Sequence, residues 1–216
     1  GRSDDVVLLA RQTIGRWEGT EHPRYGAALA TLATAEYVTG DPERALAIAE
    51  PAVQVLATNR TGPVKLHRLI GQARSALGDI DGAIAAFRDG AELARSCGMT
   101  ALAIELDIVH AHVRSIGAGD DPTVAVDLEA SRREADELGS SVTSVWAGTT
   151  LGWALLRTDC DRGLEIAAAN LARARSIGYP IGIAGNLRTL AYGHLVRGEL
   201  EAARSTLAEL VDELVN

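Results

Sequence analysis

The amino-acid sequence predicts an all-α protein, a right-handed superhelix of about eleven antiparallel helices that spans residues 1–216 as a single domain. Apolar residues make up 47% of the chain but aromatic residues only 4%, so alanine and leucine must fill the core, as they do between close-packed helices. Two series of short phrases recur at a regular spacing, and the apolar residues between them recur at three and four positions. Composition, repetition and periodicity therefore agree on stacked helix pairs.

The first series of phrases marks the ends of helices. ARSCGMTALA, ADELGSSVTS and ARSIGYPIGIA carry Gly98, Gly139 and Gly178, which follow one another at nearly equal spacing, and Asn59 lies one such step before Gly98. Glycine, and less often asparagine, adopts the left-handed conformation that closes a helix at little steric cost. These four positions are predicted to be helix stops.

The second series marks the starts of helices. GDPERA at residue 40, GDIDGA at 78, GDDPTVA at 119, TDCDRG at 158 and GELEAA at 198 each place an acidic residue before a helical stretch. Asp41 and Asp121 precede Pro42 and Pro122, which is the order of an N-cap followed by a proline at the first helical position. The alternate helices open with a proline of their own, at Pro23, Pro63 and Pro180.

Together the two series predict eleven helices, near residues 3–18, 23–39, 42–58, 63–77, 81–97, 100–116, 122–138, 141–157, 161–177, 181–197 and 200–215. Pro51 lies inside the third helix and should kink it, because proline removes a backbone hydrogen bond. The helices form five pairs preceded by one unpaired helix. Since a single pair cannot bury its apolar face, each pair must stack on the next.

The best pair, HRLIGQARSALGDIDGAIAAF from His67 to Phe87, resembles the tetratricopeptide (TPR) repeat. Ile70 and Gly71 match the first helix of that pattern, and Ala83 and Phe87 match the second. Parts of the pattern recur at Leu151, Gly152, Ala203 and Leu207. The resemblance implies a TPR-like solenoid that binds proteins or peptides, although the period here exceeds the roughly 34 residues of the family.

Longer repeats of this kind, with helices that end in ARELG-like phrases, are similar to the C-terminal superhelical regions of MalT-like and LuxR-type signal-transducing ATPase regulators. This second resemblance implies the sensor and assembly arm of a bacterial transcription regulator in the cytoplasm. The chain begins and ends on second-helix elements, as we expect of a fragment of a larger protein. A free-standing TPR adaptor or a peptide-pheromone receptor is the alternative, and an all-helical enzyme ranks third.

Several other functions are excluded by composition and motifs. A net charge of −8 argues against direct nucleic-acid binding, and no apolar run reaches the length of a membrane span. Cys97 and Cys160 are too few for a disulfide framework or a metal knuckle. The chain has no GxxxxGK, HExxH or GxSxG motif, so we predict no catalysis, no cofactor and no metal.

Three small polar clusters are interpreted as structural. His110 and His112 lie two apart and therefore point in different directions on a helix. Asp79, Asp81 and Gly82 echo a calcium loop but lack its later acidic ligands, which favours helix capping. Capping also explains the acidic pair and the hydroxyl cluster at Asp120, Asp121, Ser140, Ser141, Thr143 and Ser144.

The TPR resemblance implies that the first helix of each pair lines a concave binding surface. The helical register then gives ten candidate ligand-binding residues: Lys65, Arg68, Gln72, Asp107, Arg114, Trp146, Thr149, Trp153, Arg188 and Tyr192. Trp146 and Trp153 share one helical face and either line this surface or fill gaps in the core; the sequence leaves both possibilities open. A surface of this kind suits an acidic or C-terminal peptide, or a small effector with an aromatic or sugar ring.

The terminal helices carry apolar residues that no following pair would cover. They are Val6, Val7, Ile14 and Trp17 at one end and Leu207, Leu210, Val211 and Leu214 at the other. Because terminal repeats normally present a polar outer face, this pattern predicts a homo-oligomer or a missing neighbour at the chain ends.

Overall fold

The structure, a computed structural model, describes residues 2–17, 23–56, 62–117 and 121–215. Within these ranges the chain forms eleven α-helices and no strand, which confirms the all-α prediction. The helices are α1 (Arg2–Trp17), α2 (Pro23–Val38), α3 (Pro42–Val55), α4 (Gly62–Ala76), α5 (Ile80–Ser96), α6 (Thr100–Gly117), α7 (Thr123–Glu137), α8 (Ser141–Leu155), α9 (Cys160–Ser176), α10 (Pro180–Val196) and α11 (Leu200–Val215). Each predicted boundary inside the described ranges lies within two residues of the observed one.

The predicted glycine stops adopt the left-handed conformation. Six glycines have φ between 62° and 94°: Gly40, Gly78, Gly98, Gly139, Gly178 and Gly198. Gly98, Gly139 and Gly178 belong to the phrases of the first series, and Gly40, Gly78 and Gly198 are the first residues of phrases in the second. A side chain at any of these positions would strain the backbone, so the glycines fix where the helices end. The predicted stop at Asn59 lies outside the described residues.

Aspartate side chains cap three helices as the sequence predicts. Asp41 accepts a hydrogen bond from the backbone N–H of Arg44 at 2.9 Å, and Asp159 accepts one from Arg162 at 3.1 Å. Asp79 accepts one from Gly82 at 3.0 Å, which confirms its capping role.

The capping role predicted for Asp121 is present at α7, because its side chain accepts hydrogen bonds from both the N–H and the hydroxyl of Thr123. The helix begins at Thr123, one residue after the predicted Pro122. Ser140 occupies the N-cap of α8, yet its hydroxyl donates to Thr143 Oγ1 and makes no capping bond. Pro51 lies inside α3 as predicted, and the kink expected there stays a prediction. Asp120 is outside the described residues.

The chain divides into two compact units, residues 1–106 and 107–216, and the division falls inside α6. In the first unit α1 to α5 pack each on the next along the chain. The Phe87 ring is fully buried against Gly71, where an added Cβ would come within 2.5 Å of a ring carbon. The residues that carry the TPR resemblance therefore form the contact between α4 and α5.

In the second unit α7 to α11 also pack each on the next, and α8 contacts α10 directly. The backbones of α8 and α9 approach closely at Gly152 and Gly163, because a Cβ on Gly163 would lie 2.9 Å from the carbonyl oxygen of Gly152. Since α8 and α10 are first helices of consecutive pairs, their contact brings the predicted binding residues of both helices onto neighbouring surfaces.

The apolar residues of the terminal helices are partly exposed. Leu207, Val211 and Leu214 are exposed on α11, whereas Leu210 packs against the core of the second unit. At the other end Val7 and Ile14 are half-buried, and the side chains of Val6 and Trp17 lie outside the description. Self-association therefore stays a prediction. None of the described helices is both long and apolar enough to cross a membrane.

Candidate functional site

A cavity of about 170 Å³ lies between α6, α8 and α10 in the second unit. We call it the aromatic pocket. Its lining residues are Val109 and His112 from α6, Trp146, Thr149, Thr150 and Trp153 from α8, and Tyr179, Ile181, Gly182, Gly185 and Arg188 at or within α10. All three helices are first helices of pairs, the ones that the TPR resemblance assigns to the binding surface.

Two tryptophans form much of the pocket wall. Trp146 and Trp153 are both half-buried, so each has one part packed and another part open to the cavity. The Tyr192 ring lies against Trp153, with ring centroids 5.2 Å apart and planes inclined by 37°. Five of the ten predicted residues therefore gather at one place: Trp146, Thr149, Trp153 and Arg188 line the pocket, and Tyr192 supports it.

Arg188 supplies the positive charge of the pocket. Its guanidinium carbon lies 5.3 Å from the centroid of the Trp153 ring, a cation–π arrangement. Among the described residues we find no carboxylate within ion-pair distance of Arg188, and none of the acidic ones lines the pocket. Arg188 is therefore held against an aromatic ring with its charge available to a ligand.

Arg114 has a different role from the one predicted. Its guanidinium donates to Asp121 at 2.5 Å and to Asp127 at 2.6 Å, which ties the end of α6 to the start of α7. The hydrogen bond from Arg114, together with those from Thr123, lowers the pKa of Asp121 to about 2. Arg114 is thus engaged in a helix-to-helix ion pair and does not line the aromatic pocket.

Unequal steps between repeats explain why the predicted residues of α6 do not line the aromatic pocket. If the number of residues between Gly139 and Gly178 is subtracted from the positions of Trp146 and Trp153, the equivalent positions on α6 are Asp107 and Arg114. The step from Gly98 to Gly139 is longer by two positions, and taken backwards from Trp153 it leads to His112, which does line the pocket. A shift of two positions turns a side chain by about 200° around a helix. Asp107, which is half-buried, is therefore not a pocket residue.

A buried polar network adjoins the pocket at Thr149, and the sequence did not predict it. Asn170 Nδ2 donates to the carbonyl of Val145 at 2.8 Å and to Thr149 Oγ1 at 3.1 Å, and it lies 3.2 Å from Asn186 Oδ1. Asn186 Nδ2 donates to Thr149 Oγ1 at 2.9 Å and to the carbonyl of Gly182 at 2.7 Å. The network joins α8, α9 and α10. Asparagine is a poor helix former, so the presence of two asparagines within predicted helices was the one sequence signal that these positions have a special role.

Two glycines bring α10 close to the pocket. A Cβ on Gly185 would lie 2.8 Å from Thr149 Cγ2, and one on Gly182 would lie 2.7 Å from Val145 Cγ1. Both distances are too short for a real Cβ contact, so larger residues would push α10 away from α8. The small residues and the asparagine network therefore set the width of the pocket.

His112 is kept uncharged at neutral pH. Burial lowers its pKa below the ordinary 6.5, and the nearby positive charge of Arg188 lowers it further. Its Nδ1 atom is enclosed and has no hydrogen-bond partner among the described residues. The imidazole thus contributes a neutral wall to the pocket, and the positive potential comes from Arg188.

The depressed pKa of His112 predicts a loss of stability in mild acid. The unfolded chain binds a proton at His112 more readily than the folded protein, so the free energy of unfolding should fall as the pH drops below about 6.5. Urea unfolding between about pH 7.5 and 5.5 measures this slope, and His112→Phe should reduce it. His67, whose pKa is also lowered by burial, should contribute to the slope that remains. An unchanged slope in His112→Phe would contradict the assignment.

The remaining candidates lie in the first unit. Arg68 donates to Glu105 at 2.9 Å, which links α4 to α6. Lys65 is exposed and Gln72 is half-buried on α4. These three residues do not belong to the aromatic pocket, which second-unit residues form. No group of three or more histidine, cysteine or acidic side chains in the described part of the chain is arranged to hold a metal ion.

Comparison with known proteins supports the fold. The chain is similar to the crystal structure of BtubC (BKLC) from P. vanneervenii, with a TM-score of 0.75 and 14% identity over 99% of this chain and 89% of that one. Two structures of a kinesin light chain-like protein of Podosopora anserina with nearly identical TPR-like repeats align with TM-scores of 0.46 and 0.44, both at 15% identity. They cover 99% of this chain and 87% and 88% of theirs.

Neither a protein-family model nor a curated protein sequence matches the chain. At 14% identity, the similarity to BtubC establishes the fold alone. The chain therefore has an all-helical fold that is similar to that of BtubC.

Proposed function

We propose that this chain is a non-catalytic binding and assembly module whose ligand site is the aromatic pocket. The observation that carries the proposal is the convergence of three successive first helices on one cavity, which has an aromatic wall and a cation that no described carboxylate pairs with. Binding pockets commonly combine an apolar lining with a few placed polar groups. The buried network of Asn170, Asn186 and Thr149 supports a pocket of fixed shape.

Within that role we propose the sensor arm of a cytoplasmic bacterial transcription regulator, of the kind that MalT-like and LuxR-type ATPases carry. The long repeat period and the helix-ending phrases around Gly98, Gly139 and Gly178 support it. The alternative is a free-standing adaptor or a peptide-pheromone receptor. The flanking reading frame separates the two, because an upstream ATPase motif supports the arm and an adjacent native start and stop support the adaptor.

A fragment screen on the purified chain tests the pocket as a ligand site. The library should contain acids, neutral amides, amines and sugars, and binding should be mapped by the indole N–H signals of Trp146 and Trp153. If no fragment of any class perturbs these two signals, the proposed site is wrong. Turnover of a bound fragment would contradict the non-catalytic role.

Trp153→Ala should weaken the binding of pocket fragments by about 2 kcal/mol, roughly 30-fold, because it removes an aromatic anchor. The same change should lower the free energy of unfolding by only about 1–2 kcal/mol, less than for a core aromatic residue, since Trp153 is half-buried. Isothermal titration and urea unfolding measure the two quantities. Tyr37→Ala, a half-buried aromatic truncation in the first unit, is the matched control and should leave fragment binding unchanged.

A loss of about 3–5 kcal/mol in the free energy of unfolding of Trp153→Ala would instead identify Trp153 as a core residue and remove it from the ligand site.

A further inference from the structure

We propose that the aromatic pocket selects a small monocarboxylic acid with a single aromatic ring, the carboxylate pairing with Arg188 and the ring packing against Trp146 and Trp153. This inference rests on the proposed function, because it names the ligand class of the same site. Three properties of the pocket carry it: its charge, the engagement of its threonine hydroxyl groups within the protein, and its volume.

The charge of the pocket favours an anion. Arg188 is the charged residue of the lining, and no carboxylate in the described ranges offsets it. Other arginines of the second unit do have carboxylate partners: Arg114, Arg162, Arg173, Arg175 and Arg197. An arginine held over a tryptophan without such a partner, in a protein of net charge −8, is arranged to receive a counter-ion from outside. A cationic ligand would meet repulsion at the same place.

The threonine hydroxyl groups of the pocket are already used within the protein. Thr149 Oγ1 accepts hydrogen bonds from Asn170 and Asn186 and donates to the carbonyl of Val145 at 2.9 Å. Thr150 Oγ1 donates to the carbonyl of Trp146 at 3.0 Å. A sugar ring needs several protein partners for its hydroxyl groups, and each one left without a partner costs affinity. The pocket therefore suits a ring without hydroxyl groups in preference to a sugar.

The volume limits the ligand to one ring and a short substituent. A closed apolar cavity of about 150 Å³ is known to admit benzene, and the aromatic pocket measures about 170 Å³. A benzene ring with a one-carbon arm and a carboxylate is of the right size. The arm would let the carboxylate reach the exposed Arg188 while the ring contacts the indoles that line the pocket.

Three probes of the same shape and different charge test the proposal: phenylacetate, phenylacetamide and phenethylammonium. We expect phenylacetate to bind with a dissociation constant in the millimolar range or below, as befits a ligand of about ten heavy atoms. It should bind at least about fivefold more tightly than the amide, and the ammonium compound should bind least. The indole N–H signals of Trp146 and Trp153 report the place of binding.

Arg188→Gln should abolish the preference for phenylacetate over the amide, so that the two probes bind with the same affinity. Arg204→Gln is the matched control, because Arg204 is a highly exposed arginine on α11 of the same unit, and it should change neither affinity. Both sites are exposed, so neither variant should alter folding, which circular dichroism checks.

The outcomes separate this inference from the proposed function. If the amide or the ammonium compound binds as tightly as the acid, or if Arg188→Gln keeps the preference for the acid, the acid selectivity is wrong while the pocket remains a ligand site. If phenylacetate does not perturb Trp146 or Trp153 but sugars do, the ligand class is also overturned. If no fragment of any class reaches the pocket, the proposed function fails as well.

Discussion

Phe87→Ala should lower the free energy of unfolding of the first unit by about 3–5 kcal/mol, the cost of removing a buried aromatic ring and leaving a cavity. Phe87 is the single phenylalanine of the chain, is 2% exposed, and fills the space between α4 and α5 against Gly71. The remaining core of this unit consists largely of alanine and leucine, which cannot expand to fill the space. Urea unfolding, with amide hydrogen exchange on α4 and α5 to localise the loss, measures it.

The contact with Gly71 provides a second test of the same interpretation. Gly71→Ala alone should destabilise the protein by about 1–3 kcal/mol, because the new Cβ would lie within 2.5–2.7 Å of ring carbons of Phe87. In a Phe87→Leu background the same substitution should cost little or stabilise, since the space is free and alanine favours the helix by about 1 kcal/mol over glycine. Additive effects of the two substitutions would show that the ring and the glycine are not in contact.

Much of the fold could be predicted because its signals are local. A left-handed glycine such as Gly98 and a capping aspartate such as Asp79 set a helix boundary through the backbone of a few neighbouring residues. The sequence displays those residues directly. The same local signal is present at α7, where Asp121 accepts the N–H of Thr123 just after Pro122.

The candidate site could be predicted where the repeat is regular and not where it is irregular. The step from Gly139 to Gly178 relates α8 to α10 correctly, so the sequence places Trp153 and Tyr192 together. The longer step from Gly98 to Gly139 shifts α6 by two positions, so the predicted face carries Arg114 where the pocket has His112. The spacing of Gly98, Gly139 and Gly178 shows this shift of two positions in the sequence itself.

The asparagine network was beyond the reach of pattern analysis for a different reason. Asn170 and Asn186 lie on α9 and α10 and meet Thr149 on α8, across 21 and 37 residues of chain. An asparagine in the middle of a helix is unfavourable by propensity and therefore suggests a specific role. Its hydrogen-bond partners, however, depend on how the helices pack. Thr149 lines the pocket without an unused hydroxyl hydrogen, because its Oγ1 donates to the carbonyl of Val145 in the same helix.

Asn186→Leu should lower the free energy of unfolding of the second unit by about 2 kcal/mol. The leucine is close to asparagine in size, but it removes the two hydrogen bonds that Asn186 Nδ2 donates, to Thr149 Oγ1 and to the carbonyl of Gly182, and it places an apolar group against Asn170 Nδ2. Asn186 is fully buried, so it cannot contact a ligand. A fall in phenylacetate affinity in this variant would therefore report a change in how α8 and α10 hold the pocket. Urea unfolding and titration with phenylacetate measure the two effects.

Thr189→Val is the matched control for that variant. Thr189 lies on the same helix and is equally buried, but its hydroxyl donates only to the carbonyl of Gly185 within α10. Replacing it should cost less than about 1 kcal/mol, because that carbonyl keeps its helical hydrogen bond. It should leave phenylacetate binding unchanged, since it breaks no bond between helices. If Asn186→Leu and Thr189→Val have equal effects on stability and on binding, the network is not what holds α8 and α10 at the pocket, and the width of the pocket must depend on the contacts of Gly182 and Gly185 alone.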